Sequence, residues 1–390
     1  MFFRNRKGLI LLIELKKKTK INRINIETDK RLIFISDIHG DVDSLKAGLE
    51  NINFNGNDYL FIIGDIYEKG DFLKNLETLR YVMELSKMPN VYPMAGNCDE
   101  VFRFILPEDA SDLTLYYLLK KKNSILNDIA YYENIEVNEN MDIKAFIKLV
   151  YDRYFDLYEF MNSLDDVIFI NDELVLVHGG IDDIDNIPEY SLPLLKYDRF
   201  YELSRTQKKL MIVGHYPTRN YRADVSCVNP IFDFRKRIIS IDGGNHIVKG
   251  GQINFVVLDS LKSMKFSFSF VDHYPKYTMQ YDVFYQEPTS YVSIIFGDNE
   301  IEILDVDLDF YYIRHRQTEQ EMWVHKSFVY WDEKTRKYYC YDASNQFISV
   351  HKGDVISIVK KGMPYSVIKR NGYIGLIETR YLKNEVDLQD

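Results

Sequence analysis

The sequence predicts an α/β core that carries a helical insertion and is followed by two small all-β units. Three observations predict it. From Arg31 onward, short apolar runs alternate with segments of helical period, the rhythm of strands joined by crossover helices. Between residues 101 and 165 that rhythm gives way to Tyr-, Leu- and Lys-rich sequence at helix spacing. After about Asp272 the helix period fades, and β-branched and aromatic residues between turn signals take over.

Residues 1–30 read as a basic extension. The first 23 residues carry eight Lys or Arg against one acid, Glu14, a local charge of +7 that leaves −17 on the rest of a chain whose net charge is −10. Such a tail suits a solvated extension or a weak contact with an acidic surface. Its apolar run, Leu9 to Ile13, is far short of the roughly 20 residues that span a membrane, and no small-residue cleavage site follows it. The negative net charge argues against general nucleic-acid binding. Three scattered cysteines, Cys98, Cys227 and Cys340, are too few for a disulfide framework and favour a cytoplasmic location.

Within the core, 31–272, Leu32–Ser36 reads as a buried strand, Val42–Asn51 as a helix and Tyr59–Ile63 as a second buried strand. A helical stretch from Phe72 to Lys87 and a short strand, Val91–Met94, follow. Residues 101–165, with Leu115, Leu118, Leu119 and Ile125, then Phe146, Leu149, Tyr154, Leu157 and Phe160 at helical spacing, read as a cap inserted into the core. Strands resume at Asp166–Ile170, Leu174–Val177, Leu210–Val213 and Arg237–Ile241. The two β units, 273–335 and 336–390, look alike: each has Gly-Asp, an alternating strand, a middle strand (Phe310–Arg314; Tyr365–Arg370) and a closing apolar stretch. They resemble a tandem pair of bacterial Src-homology-3-like barrels, which implies a peptide or protein partner or a packing role.

Five loops of the core place metal-ligand residue types directly after apolar strands: Asp37-Ile-His39-Gly40, Gly64-Asp65, Gly96-Asn97-Cys98-Asp99, His178-Gly179-Gly180 and Gly214-His215. Carboxylates can bridge ions, an amide supplies a hard oxygen, and imidazole suits first-row metals such as manganese, iron or zinc. Every histidine before residue 240 falls in one of these loops, and the five beyond it are given no role.

The ordered set Asp-x-His-Gly, Gly-Asp-x-x-x-x-Gly, Gly-Asn-x-Asp, His-Gly-Gly and Gly-His-x-Pro, with Ile241-Asp242-Gly243-Gly244 and Gly250-Gly251 closing it, is similar to the calcineurin-like metallophosphoesterases. It looks most like the bacterial branch of the PPP-type serine/threonine phosphoprotein phosphatases, over about Arg31–Leu258. The resemblance implies a four-layer β-sandwich flanked by helices. It implies that Asp37 and His39 hold a first divalent ion, that Asp65 bridges two, and that Asn97, His178 and His215 complete the second. Manganese is the ion it favours, with iron and zinc as alternatives. Two ions roughly 3.5–4 Å apart would activate a bridging hydroxide for in-line attack on phosphorus. Lys69 stands where the family usually has a phosphate-binding arginine, and Arg199 resembles the second; Asn97 also faces the phosphate.

The sequence departs from that pattern at Cys98. The family's usual Gly-Asn-His-Asp or Gly-Asn-His-Glu places a histidine there as proton donor, supported by an acid whose counterpart is Glu68. A thiol is a poor general acid, so Asp99, Glu68 or a water are the expected substitutes, or the substrate needs no proton; a redox role for Cys98 is a further alternative. The leading expectation is a phosphatase acting on phosphomonoesters, phosphoserine or phosphothreonine in proteins. Hydrolysis of phosphodiesters or diadenosine tetraphosphate is the alternative, and a non-catalytic scaffold acting through the barrels is another.

Overall fold

The computed structural model describes residues 17–99, 111–286 and 291–382, and the backbone of a short antiparallel pair, Phe3–Arg4 (β1) and Ile10–Leu11 (β2). The other residues of the expected tail up to 16, the start of the expected cap at 100–110, and residues 287–290 and 383–390 of the expected β units lie outside the described residues.

The strands of the core are β3 (Ile21–Ile24), β4 (Leu32–Ile35), β5 (Tyr59–Ile63), β6 (Val91–Met94), β7 (Val167–Ile170), β8 (Leu174–Val177), β9 (Leu210–Val213), β10 (Ile231–Asp233), β11 (Ile238–Ser240), β12 (Ile253–Leu258) and β13 (Phe266–Val271). They form two sheets, ordered β10-β11-β9-β8-β7-β3 and β13-β12-β4-β5-β6. Neighbours β4, β5 and β6 are parallel, as are β8 and β9.

Alternate residues of these strands point to different cores, which is why the runs are apolar throughout. Leu32, Phe34, Phe61 and Ile63 meet Ile168, Leu174, Leu176 and Ile212 between the sheets. Ile33, Ile35, Leu60 and Ile62 face helices α1 (Val42–Asn51) and α2 (Lys74–Leu85). On the far side Phe169, Val175, Val177 and Met211 cover Leu194 and Phe200. The result is the expected sandwich flanked by helices. Within residues 111–163, helices α3 (Ser111–Lys120), α4 (Ile125–Tyr132), α5 (Ile143–Arg153) and α6 (Phe155–Ser163) join the core under α1 and α2.

The tail is shorter than expected. Residues Ile21–Ile24 pair in parallel with β7 as the edge of the larger sheet. Lys17 Nζ and the Lys20 backbone N–H both reach Asp166 at 2.7 Å. An alternating, half-exposed Ile-Asn-Arg-Ile among basic residues is edge-strand sequence, and its charge masked it as a tail.

The β units also divide differently from the expected boundary at 335/336. One sheet holds β15 (Glu300–Asp307), β16 (Phe310–His315), β17 (Glu321–His325), β18 (Val329–Asp332) and β19 (Lys337–Cys340), so the β18–β19 hairpin crosses that boundary. The other holds β14 (Lys276–Thr278), β20 (Val355–Lys360), β21 (Tyr365–Arg370) and β22 (Tyr373–Glu378). The first sheet is nested inside the second, because β14 pairs with β20 across the whole intervening segment.

Both units are welded to the core. Val228 N–H donates to Gly372 O (3.0 Å), and Ile374 N–H to Ser226 O (2.9 Å). Val228 and Val248 pack in the same cluster as Phe310, Ile313 and Leu376. The buried Lys369 ammonium meets Asp272 at 2.7 Å and donates to Gly250 O and Gly251 O. Among the described residues no helix is long and apolar enough to cross a membrane.

Lys369 is one of two cations on the buried Asp272, the other being Lys276 at 2.6 Å, and stripping a partner from a buried charge costs up to about 3–5 kcal/mol. Lys369→Met should therefore lower the urea midpoint markedly, and adding Asp272→Asn should restore much of it. Equal midpoints for wild type and Lys369→Met would show that this contact does not hold the units to the core.

Candidate metal centre

The loops that follow β4, β5, β6, β8 and β9 converge at one end of the sandwich. Backbone hydrogen bonds lock them together: Asp37 N–H to Gly64 O (3.1 Å), His39 N–H to Asp65 O (3.0 Å) and Gly214 N–H to His178 O (2.9 Å). Space there is minimal; a Cβ at Gly96 would stand 2.1 Å from the Asp65 nitrogen, and one at Gly214 2.5 Å from Asp37 Oδ2. Asp37, His39, Asp65 and His215 all have left-handed backbone, with φ of 54°, 51°, 53° and 68°. Non-glycine residues adopt this at a cost of order 1–3 kcal/mol each, so the surrounding fold holds these side chains in place.

Asp65 sits between two imidazoles. Its Oδ1 lies 3.3 Å from His178 Nε2 and its Oδ2 3.8 Å from His39 Nε2. Asp37 Oδ1 is also 3.8 Å from His39 Nε2. The 3.8 Å separations are too long for hydrogen bonds, whereas ligand atoms about 2.0–2.2 Å from a shared ion stand roughly 3–4 Å apart. Asp37 Oδ1 is buried and has no hydrogen-bond partner among the described residues, while His39 turns Nε2, not its equally unpartnered Nδ1, toward the carboxylates. The donor set and the orphaned Asp37 oxygen fit divalent ions.

Charge tells the same story. Burial pushes the Asp37 carboxyl up and the His39 imidazole down to about 3, its neutral, ligating form. Burial works against Asp65 too, yet His178, His39 and Lys69 hold it well below the usual carboxylate range. His178 is raised to about 10, against its burial, by Asp65 and Asp37. Its Nδ1 lies 2.8 Å from Ile63 O, and since a carbonyl only accepts, that nitrogen carries a proton and Nε2 faces the carboxylate.

Asn97 Oδ1 reaches His178 Nε2 at 3.3 Å. His215 lies at the margin: its backbone N–H donates to Asp37 Oδ2 (3.0 Å) and its ring centroid is 5.3 Å from that of His178, while its Nε2 is 2.8 Å from Asp198 Oδ1. Lys69 faces the cluster, its ammonium pKa raised, against burial, by Cys98, Asp65 and Asp37. Arg199 is placed otherwise: its Nε and Nη2 donate to the two oxygens of Glu202, at 2.8 and 2.6 Å.

The expected proton donors prove to be engaged. Burial and the Asp65 charge push the Cys98 thiol well above its usual value, while its Sγ groups with His39 and Asp65. Glu68 turns into the helical insertion, accepting from Tyr117 Oη and from the Ile125 N–H (2.9 Å) at the start of α4. Asp99 clamps two loops, accepting from the Ile66 and Gly96 N–H groups, each at 2.8 Å. Burial lifts both carboxyls to about 7. Sequence reasoning missed Asp198, although it adjoins Arg199 in the same motif. It also missed Tyr117, one of thirty tyrosines, whose spacing carries no signal.

The profile of the calcineurin-like phosphoesterase family matches residues 30–229, just over half of the chain. No curated protein sequence matches it. Among solved structures the chain is similar to a candidate diadenosine tetraphosphatase (16% identity, 65% of this chain and 98% of that one, TM-score 0.40). It is also similar to a cold-active protein-tyrosine phosphatase of a psychrophilic Shewanella (16%, 68% and 89%, TM-score 0.40). A third is a protein serine/threonine phosphatase from Saccharomyces cerevisiae (9%, 65% and 83%, TM-score 0.39). By its profile match and by the metal-ligating groups gathered around Asp65, the chain belongs to the calcineurin-like phosphoesterases and is a metal-dependent phosphoester hydrolase.

Proposed function

We propose that the chain is a binuclear phosphatase that cleaves phosphomonoesters, with Asp37, His39, Asp65, Asn97, His178 and His215 as the metal ligands. The observation that carries this reading is Asp65, whose two carboxylate oxygens face different imidazoles. Two divalent ions held there would lower the pKa of a shared water and draw charge off the phosphoryl oxygens. Manganese is the ion implied by the family resemblance, with iron and zinc as alternatives; Cys98 Sγ stands beside His39 and Asp65 but keeps its proton, so it is not counted among the ligands.

Within this reading Lys69 supplies a point charge for phosphate and Asn97 a hydrogen-bonding amide. Arg199 can join only by leaving Glu202. The leaving group receives little help: Cys98 holds its proton, Glu68 is bound to Tyr117 and Ile125, and Asp99 braces the loops. That favours substrates whose leaving group departs as a stable anion, such as aryl phosphates. The same observation supports a second reading, hydrolysis of diadenosine tetraphosphate or a phosphodiester, where the departing phosphate or aryloxide needs no proton. Phosphoserine and phosphothreonine in proteins are slower substrates in this account. The intact ligand set argues against a pure scaffold. The repeated three-strand pattern of β15–β17 and β20–β22 supports the SH3-like reading, with a peptide or protein partner, and the buried free cysteines suit a cytoplasmic setting.

A panel of aryl phosphate, serine phosphopeptide, bis-aryl phosphate and diadenosine tetraphosphate, assayed with added Mn²⁺, ranks these substrates. EDTA should abolish all activity. Asp65→Asn should cost well over about 100-fold in kcat, more than the loss of an outer-sphere partner; activity surviving it would refute the two-metal reading. Cys98→His should raise kcat on serine phosphopeptides, by up to about 10²-fold, and far less on aryl phosphate. Equal gains on both would sink the proton-donor account.

A further inference from the structure

Two of the histidines that the sequence left without a role meet a carboxylate outside the binuclear cluster. Asp41 Oδ2 lies 3.5 Å from His246 Nε2 and 3.7 Å from His273 Nδ1. The three ligand atoms all fall within 4.8 Å of one another. The residues come from distant stretches: Asp41 caps α1, accepting from the Ser44 N–H at 2.9 Å; His246 follows β11; His273 follows β13 and precedes β14.

These distances suit hydrogen bonds poorly. They suit co-ligands, since atoms about 2.0–2.1 Å from a tetrahedral ion are separated by roughly 3.3 Å. The imidazoles stack 4.6 Å apart at 12°, each with a ring nitrogen near Asp41 Oδ2. His246 has φ of 56°, a left-handed conformation at a non-glycine residue that costs stability unless the presented side chain repays it. Asn245 fixes the carboxylate from behind, donating from Nδ2 to Asp41 Oδ2 (3.3 Å) and Ile38 O (2.9 Å). Its own Oδ1 is buried without a partner among the described residues. In front lies an open cleft of about 310 Å³, lined also by Asp71 and by Asp43, which pairs with Lys74 at 2.9 Å, so the cluster is closed on one side and open on the other.

We propose that Asp41, His246 and His273 form a third divalent-metal site, separate from the binuclear pair. Two imidazoles and one carboxylate, with a position open to solvent, make a donor set suited to Zn²⁺ and neighbouring first-row ions. An ion there ties the loop after β11 and the entry to the C-terminal sheets to the first turn of α1, two residues beyond His39. The site does not depend on the reaction assigned to the binuclear centre.

The test counts ions on the full chain, stripped with chelator and equilibrated with Zn²⁺, by elemental analysis after dialysis. Wild type should hold three, His246→Gln/His273→Gln two, and Asp37→Asn/Asp65→Asn should keep the one at Asp41. Should the histidine pair fail to fold by circular dichroism, His273→Asn alone, at a more exposed position, should weaken the affinity for one ion about tenfold or more. Unchanged stoichiometry and affinity in the folded histidine variants overturn the third site. Loss of every ion in Asp37→Asn/Asp65→Asn overturns it as well, whereas retention of all three there contradicts only the binuclear assignment.

Discussion

Asp37, Asp65 and Asp99 are among the carboxylates buried together at the end of the sandwich, and the rest of the structure follows from what that burial demands. Charged groups withdrawn from water must be paired or must neutralise. Each of the three meets this in a different way. Asp99 spends its oxygens on backbone N–H groups and its pKa rises to about 7. Asp65 remains ionised against His178. Asp37 keeps one oxygen with no partner among the described residues. The deficit of positive charge is thus concentrated where the neutral His39 presents Nε2 to Asp37 and Asp65. A cation there would satisfy Asp37 Oδ1, Asp65 Oδ2 and His39 Nε2 together.

Holding that cluster requires rigid support on both sides. The helical insertion supplies one side, since Tyr117 and the start of α4 take hold of Glu68, the residue beside Lys69. The two sheets and their backbone ladders supply the other. The C-terminal β units are coupled to this support through the β21–β22 turn and β22, which contact the Ser226–Val228 segment, and through Lys369, which sits on Gly250 and Gly251. Arg219, fully buried just beyond His215, donates to Ser293 and Ala343 of those units. The segment just beyond His215 is therefore packed against those units.

The strands that carry ligands were legible because burial on both faces makes them continuous apolar runs, and a charged residue immediately after such a run has few explanations. Val42–Asn51 and Tyr59–Ile63 were read to the residue. The edges were not. Ile21–Ile24 is half-exposed and set in basic sequence, so its period was outweighed by its charge. Lys276–Thr278 pairs with a strand about eighty residues later, and no local pattern encodes a partner so distant. Glu68 was expected beside Cys98 because motif position cannot show a carboxylate drawn away by Tyr117. His246 and His273 sit in loops unrelated in sequence, and only the fold brings them to Asp41.

The central claim is that Asp65 bridges two ions. Crystals grown with Mn²⁺ and measured at its absorption edge test it most directly. The account predicts two anomalous peaks flanking Asp65, one on the His39 side and one on the His178 side, roughly 3.5–4 Å apart. A single peak, or an Asp65 carboxylate bound to nothing but His178, would contradict it.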